Sequence, residues 1–313
     1  MVQAGLPART GLPVRAGLLV RAAVAPALLG LIVAVVSWFA ATNLGGVEGA
    51  RYYGLGFAVL AVVVLPAVTR LVERGPAWVL PSVTVACVVA LVAVFVLGFP
   101  SEYSVAMGTG SDRANALDVA LSRIAQGLYP YDGTTYVGNP ISPLPGALLM
   151  AAPFSFLAGG AVWQNLAGML LLLPVLNRGW RLRPGPTLLW GFTALGALEV
   201  LREFVVGDDL VTSAVVAVAA TAWTLTAARG RSTGVLVAAG VALGIATCTR
   251  PHMILVVVVV VAAVGVASGW RRAGVVGLSV GLVWVVLILP FLSAGLARFS
   301  PLHVAAKVTG TRG

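Results

Sequence analysis

The acidic residues of this 313-residue chain concentrate in two polar passages that lie between long apolar runs. Asp112, Asp118 and Asp132 fall in the first passage, and Asp208 and Asp209 are adjacent in the second. A carboxylate can take up a proton as a general base, and neighbouring carboxylates can hold a hard divalent cation. Solvated loop residues of the same type do neither. The pattern around residue 112 helps most to separate these alternatives.

The segment GSDRANALDVALSRIAQG (residues 110–127) predicts a helix with Ser111 as N-cap, Asp112 in the first turn and Gly127 as its stop. At about 100° per residue, the large apolar side chains share one face. They are Leu117, Leu121, Ile124 and Leu128. We therefore expect an amphipathic helix that lies in the membrane interface with its leucines toward lipid. A carboxylate in the first turn also stabilises a helix electrostatically, so a structural role for Asp112 stays open.

The next segment, LYPYDGTTYVGNPISPLP (residues 128–145), is too rich in Pro and Gly for regular structure. Its tyrosines offer flat faces that could stack on sugar rings, or could form the aromatic belt common at membrane surfaces. Together with the polar face of the preceding helix, this loop predicts a binding surface. The candidate binding residues are Arg123, Gln126, Tyr129, Tyr131 and Asn139.

The composition indicates what must position these residues. With 59% hydrophobic and 10% charged residues, the chain resembles a polytopic helical membrane protein and not a soluble domain. Apolar runs close to the length of a membrane-crossing helix recur along it. The predicted fold class is an all-α transmembrane bundle of about nine spans, at 22–42, 55–69, 80–99, 161–177, 186–201, 209–228, 234–249, 251–267 and 273–292.

The charges predict a topology. The basic residues punctuate the ends of apolar runs and form no patch for nucleic acid, and we interpret the start as a retained first helix with a cytoplasmic N-terminus. If residues 143–157 only dip into the membrane or lie along it, twelve basic residues and one acidic residue fall inside. Eight basic and nine acidic residues then fall outside, the asymmetry expected of a plasma-membrane protein.

This topology divides the chain into five regions. They are a cytoplasmic basic N-terminus (1–21), three transmembrane helices (22–99), an extracytoplasmic helix and Tyr/Pro loop (100–145), a re-entrant or interfacial segment with six further spans (146–292), and an external tail (293–313). Cys87 and Cys248 both lie inside apolar runs, so no disulfide framework is predicted.

An Asp, an amphipathic helix with a second Asp, a G-x-x-P-Y motif and a proline-rich entry to an apolar helix form a recognisable series. This series resembles the GT-C glycosyltransferases, and within them the bacterial polyprenyl-phosphate-mannose-dependent mannosyltransferases. The residues that carry it are Asp112, Asp118, Ala120, Gly127, Pro130, Tyr131, Asn139 and Pro143. A second stretch, LREFVVGDDLVTSAVVAVAATAW followed by AARGRSTGVLVAAGVALGIATCTRP, extends the resemblance to about residue 260.

The resemblance implies transfer of a sugar, mannose-like by analogy, from a polyprenyl-phosphate donor to the hydroxyl of a lipid or glycan acceptor at the outer membrane face. It implies inversion at the anomeric carbon. With about nine spans, fewer than relatives have, the chain would be a shortened member of the family, a fragment or a lapsed enzyme. Asp112 would be the general base, with Asp118 next and Glu48 a third option. Arg250, His252 and Arg202 would bind the donor phosphate.

No cofactor is firmly implied, although Asp208 and Asp209 with Asp112 or Asp118 could hold a divalent cation. The chain has no zinc-type cluster of His and Cys. A non-catalytic membrane protein, either a scaffold in envelope assembly or a transporter, is the alternative to an enzyme. The predicted spans carry almost no charge at mid-helix, which counts against an ion-coupled transporter.

Overall fold

The computed structural model describes residues 38–102, 104, 108, 110–179, 181–230 and 232–302. Among these residues the regular structure is helical, apart from isolated bridge positions such as the antiparallel pair of Thr134 and Pro140. The helices are α1 Trp38–Val59, α2 Leu65–Arg74, α3 Val79–Glu102, α4 Asp112–Ala125, α5 Pro145–Leu157, α6 Trp163–Asn177, α7 Pro184–Gly196, α8 Leu198–Val205, α9 Leu210–Ala227, α10 Thr233–Thr247, α11 Ile254–Ser268 and α12 Trp270–Leu292.

The chain divides into two compact units, of which the first comprises residues 1–87 and 182–201. In this unit a π-helical turn, Leu60–Val64, joins α1 to α2 just before Pro66, which has no N–H to donate. Its small core contains Phe57 and Ala197, with the ring of Phe192 4.3 Å from that of Phe57.

The second unit comprises residues 88–181 and 202–313 and holds both polar passages. Helices α9 to α12 pack pairwise around a core of small and β-branched side chains, among them Ala239, Val260 and Val276. A separate core forms where α4 and α5 meet the Tyr/Pro loop, and it includes Leu117, Ile141 and Leu148. This second core fixes the position of the loop that carries the candidate site.

In the part of the chain that the structure describes, five helical segments are long and apolar enough to cross a membrane: Gly46–Arg74, Val79–Phe99, Leu210–Ala227, Pro251–Ser268 and Trp270–Leu292. The sequence predicts nine spans. The predicted span 22–42 lies largely outside the described residues, and those at 161–177 and 234–249 form helices of only 15 residues. The predicted span 186–201 is broken, because Ala197 is extended between α7 and α8.

The amphipathic helix is confirmed as α4, and the side chain of Ser111 caps it by accepting a hydrogen bond from the N–H of Arg113. Gly127 has a φ of +72° and follows its C-terminus, as predicted. The expected placement of the leucines toward lipid is wrong. Leu117 and Leu121 are buried in the protein core, and only Ile124 and Leu128 at the end of this face are exposed. The apolar face of α4 is thus covered by α5 and the loop.

Helix α5 has 13 residues, a length of about 20 Å, which is short of the roughly 30 Å hydrocarbon layer. Its first turn meets the end of α10, where the N–H of Gly146 donates to the carbonyl of Cys248 over 2.8 Å. Its last turn carries Ser155, which bonds to Asp118 of α4. Helix α5 packs against α4, and its placement in or along the membrane stays a prediction.

Candidate functional site

Asp112 begins α4 and is held by the Tyr/Pro loop. Its Oδ2 accepts hydrogen bonds from the hydroxyl of Thr135 at 2.9 Å and from the side-chain amide of Asn139 at 2.8 Å. The next polar residue of the helix, Asn115, accepts the N–H of Tyr136 and fastens the same loop. Among the described residues Oδ1 of Asp112 has no hydrogen-bond partner, and the side chain is half-buried. One oxygen is therefore fixed while the other stays open to a ligand.

A network of charged residues adjoins Asp112. Arg113 forms an ion pair with Asp208, and Glu203 lies 3.9 Å from the same guanidinium. Burial alone would raise the pKa of Asp208, but its contacts with Glu203 and Arg113 lower that pKa below its usual range. Arg202, a predicted phosphate ligand, is 3.3 Å from Glu203 and so belongs to the same network.

Arg250 lies at the end of α10 and forms a buried ion pair with Asp209. The exposed fractions of the two side chains are only 10% and 2%. The Nε of Arg250 and the Oδ2 of Asp209 are buried without a hydrogen-bond partner among the described residues. Ser142, three residues after Asn139, is 3.4 Å from the Arg250 guanidinium.

We call Asp112, Arg113, Asn139, Asp208, Asp209 and Arg250 the Asp112 cluster. Of the residues that the sequence predicts in one site, Asn139 bonds directly to Asp112. Arg250 is linked to them indirectly, because its partner Asp209 follows Asp208, which pairs with Arg113 beside Asp112. His252 is exposed, and no hydrogen bond or ion pair of the described chain links it to the cluster.

The adjacent acids of the second passage are each matched by an arginine, Asp208 by Arg113 and Asp209 by Arg250. Within the described ranges no three His, Cys, Asp or Glu side chains gather closely enough to hold a metal ion. The divalent cation that these acids could hold stays a prediction, although two of the carboxylates it would need are already neutralised.

Asp118 lies on another side of α4, over an open pocket of about 530 Å³. Its Oδ1 accepts hydrogen bonds from the hydroxyl of Ser155 at 2.5 Å and from the N–H of Ala161 at 2.8 Å. Burial raises the pKa of Asp118, and these two hydrogen bonds offset only part of that effect. The pocket is lined by Asp118, Val119, Ser122, Arg123, Asp132, Gly133 and Thr134.

The structure corrects one predicted binding residue. Tyr131 is only 3% exposed, its hydroxyl donates to the carbonyl of Pro143, and its ring packs against Phe299, so it is a core residue that a substrate cannot reach. Tyr129 is half-buried with its hydroxyl on the carbonyl of Phe291, and the guanidinium of Arg298 covers its ring at 4.8 Å.

Two other predicted binding residues remain accessible. Gln126 is exposed and donates to the hydroxyl of Ser122, in the turn before the end of α4. Arg123 uses its Nε to hold the carbonyl of Tyr129, and it lines the pocket.

Sequence patterns miss Thr135, Ser155 and Arg113, which hold the carboxylates in place. The hydroxyls of Thr135 and Ser155 bond to acids that lie 23 and 37 residues away in the chain, so no local sequence spacing predicts these contacts. Arg113 is adjacent to Asp112, but the counter-charge it binds, Asp208, lies 95 residues away. The sequence offers one signal for the role of Arg113, which is its position next to an acidic residue in a chain with only ten of them.

Comparison with protein-family models, with curated proteins and with solved structures finds no match to this chain.

Proposed function

We propose that this chain is a membrane glycosyltransferase of GT-C type that moves a sugar from a polyprenyl-phosphate donor to an acceptor hydroxyl. The observation that carries the proposal is the position of Asp112, whose Oδ2 is held by two donors while Oδ1 has no partner among the described residues. A carboxylate fixed in this way is oriented to take a proton. The resemblance of the surrounding sequence supplies the class of substrate.

In the proposed reaction Oδ1 of Asp112 takes the proton of the acceptor hydroxyl as its oxygen attacks the anomeric carbon. The bond from that carbon to the donor phosphate oxygen breaks, and the leaving lipid phosphate keeps the electron pair. Arg250 is proposed to stabilise this phosphate, because it belongs to the Asp112 cluster and its Nε is unpartnered in the described structure. Asp209 holds Arg250 until the phosphate competes for it.

The wider setting belongs to the same proposal. It comprises about nine spans, placement in the plasma membrane with the Asp112 cluster outside, Arg202 and His252 as additional phosphate ligands, and inversion with a mannose-like sugar. Support comes from the five apolar helices and from the polar passages, which meet each other within the second unit.

The test is transfer of a labelled sugar from polyprenyl-phosphate sugars in membranes that contain the full chain at matched protein levels. Asp112→Asn keeps the shape of the side chain but removes the base, so we expect activity to fall by about 10²–10⁴-fold. Thr135→Val removes one holding hydrogen bond and should lower kcat more than it changes KM. Glu73→Gln makes the same carboxyl-to-amide change at an exposed site of α2 and should have no effect.

Full activity of Asp112→Asn would eliminate this residue as the base. If wild-type membranes yield no labelled product with any polyprenyl-phosphate sugar offered, the transferase proposal itself fails.

A further inference from the structure

The pocket beside Asp118 contains polar side-chain atoms that have no hydrogen-bond partner among the described residues. Oδ2 of Asp118 has no hydrogen-bond partner in the described part of the chain, since both donors bind Oδ1. This free oxygen lies 3.7 Å from the position that a Cβ at Gly160 would occupy, so the absent side chain keeps its surroundings open. An unpartnered oxygen of a half-buried carboxylate, with room beside it, can accept hydrogen bonds from the hydroxyl groups of a ligand.

Donors lie on the other side of the pocket. Arg123 commits its Nε to the carbonyl of Tyr129, and its two terminal nitrogens make no hydrogen bond to the described residues. The hydroxyl of Thr134 is exposed and similarly uncommitted, and Ser122 accepts a bond from Gln126 but keeps its own proton free to donate.

The charge balance of the pocket selects against ions. Both carboxylate oxygens of Asp132 accept hydrogen bonds from Arg298, so this ion pair contributes no net charge. What remains is one carboxylate, Asp118, and one guanidinium, Arg123. An anion would meet the carboxylate of Asp118, and a divalent cation would find a single free carboxylate beside a positive charge. A neutral ligand with many hydroxyls satisfies both groups.

We propose that this pocket binds a neutral polyhydroxylated ring, the chemistry of a sugar, through acceptance at Asp118 and donation from Arg123. The volume of about 530 Å³ lies within the range of small-molecule sites. Thr134 lines the pocket and its chain neighbour Thr135 bonds to Asp112, so one short segment of the loop contacts both the pocket and the proposed base. Its role as the acceptor-sugar site rests on the function proposed above, whereas sugar binding itself does not.

The experiment measures equilibrium binding of methyl α-mannopyranoside to the full chain in lipid nanodiscs, by calorimetry and saturation-transfer NMR. Nanodiscs avoid detergents with sugar headgroups. We expect saturable binding that Asp118→Asn and Arg123→Gln each weaken by about tenfold or more, because each loses a charge-assisted hydrogen bond. Asparagine preserves the acceptor toward Ser155 and Ala161, so the fold should survive. Glu73→Gln and Arg74→Gln, matched changes at exposed sites of α2, should bind like wild type.

Gly160→Ala provides a variant with all charges intact. Its methyl group would lie 3.7 Å from the free oxygen of Asp118 and should weaken binding without a change in unfolding temperature. Absence of saturable sugar binding, or equal affinity in the pocket variants and the controls, would overturn the proposal. So would displacement of the sugar by sodium phosphate or magnesium chloride at matched ionic strength. The binding experiment contains no donor lipid, so it is independent of sugar transfer. Sugar binding can therefore persist where the transfer assay fails, and transfer can be observed where this pocket binds no sugar.

Discussion

At the scale of single residues, the two acids of α4, Asp112 and Asp118, are held by different partners and lie in different surroundings. Asp112 is held by a loop at the start of the helix, where a hydroxyl and an amide fix one of its oxygens. Asp118, about 9 Å further along the helix axis, is held by α5 and by the N–H of Ala161, and burial raises its pKa. Each keeps one oxygen free of the described protein, so one short helix offers two carboxylates to ligands in different surroundings.

The raised pKa of Asp118 predicts two opposite pH effects. Sugar binding that uses its carboxylate should weaken as the pH falls through this raised pKa, since the protonated form accepts less strongly. Ionisation of the buried group costs stability, so its contribution to the free energy of unfolding is complete at low pH and is lost as the pH rises through the same pKa. In Asp118→Asn both dependences should disappear.

Sugar affinity and chemical unfolding, measured across this range in wild type and Asp118→Asn, check these effects. A wild-type profile as flat as that of the variant would contradict them.

Sequence reasoning found Asp112, Asp118 and the helix that carries them because capping and periodicity are local signals. It could not find that Tyr131 is a core residue. The pattern G-x-x-P-Y shows an aromatic ring beside a turn, but whether that ring faces solvent depends on Phe299, which lies 168 positions further along the chain. Burial of this kind is decided by packing between distant segments and leaves no trace in spacing.

At the scale of elements, α10 and α9 are joined at their ends by Arg250 and Asp209. Both side chains are at least nine-tenths buried, and each retains one polar atom without a partner in the described structure. A buried pair of this kind is costly to break from one side, because the remaining charge stays buried and unpaired.

We therefore expect Asp209→Ala to lower the free energy of unfolding by about 3–5 kcal/mol. The double variant Asp209→Leu/Arg250→Met should lose much less, since it leaves no charge behind. The exposed pair of Glu48 and Arg51, with exposed fractions of 67% and 61%, is the control, and Glu48→Ala should cost at most about 1 kcal/mol. Unfolding in mixed micelles measures all three. A double variant as unstable as the sum of two single losses would argue against this account.

The break at Ala197 shows why elements were only partly predictable. Residues 186–201 form a continuous apolar run, which favours one membrane-spanning helix, yet the helix stops after Gly196 and α8 starts at Leu198. The hydroxyl of Tyr53 accepts the N–H of Leu198 and donates to the carbonyl of Gly196, so a residue about 145 positions away satisfies the broken turn. Hydropathy averaged over a window cannot register such a partner.

At the scale of the whole molecule, the distribution of arginines predicts which loops share a side of the membrane. Within the second unit, loops assigned to the same side do contact each other. Asp132 pairs with Arg298, both from segments predicted outside, and Arg272 donates to the carbonyls of Ala228 and Gly230, all predicted inside. The predicted orientation rests on the positive-inside rule alone and stays a prediction.

Cysteine labelling in intact cells tests this orientation. Gln126→Cys, at an exposed position of the first polar passage, should react with a membrane-impermeant maleimide added outside. Arg229→Cys, also exposed, should react only after the membrane is permeabilised. The unsubstituted chain reports any background from Cys87 and Cys248. Labelling of both variants from the same side would refute the predicted topology.

The close contact at Gly146 makes this position intolerant of substitution. A side chain there would place its first carbon 2.4 Å from the carbonyl oxygen of Cys248, whereas Val258, Val259 and Val266 of α11 are exposed. A single methyl at this glycine would wedge α5 away from α10, and the movement would reach Ser142 just before it and Arg250 just after Cys248. Gly146 has no reactive side chain, yet it sets the distance between residues that carry polar groups, Ser142 and Arg250.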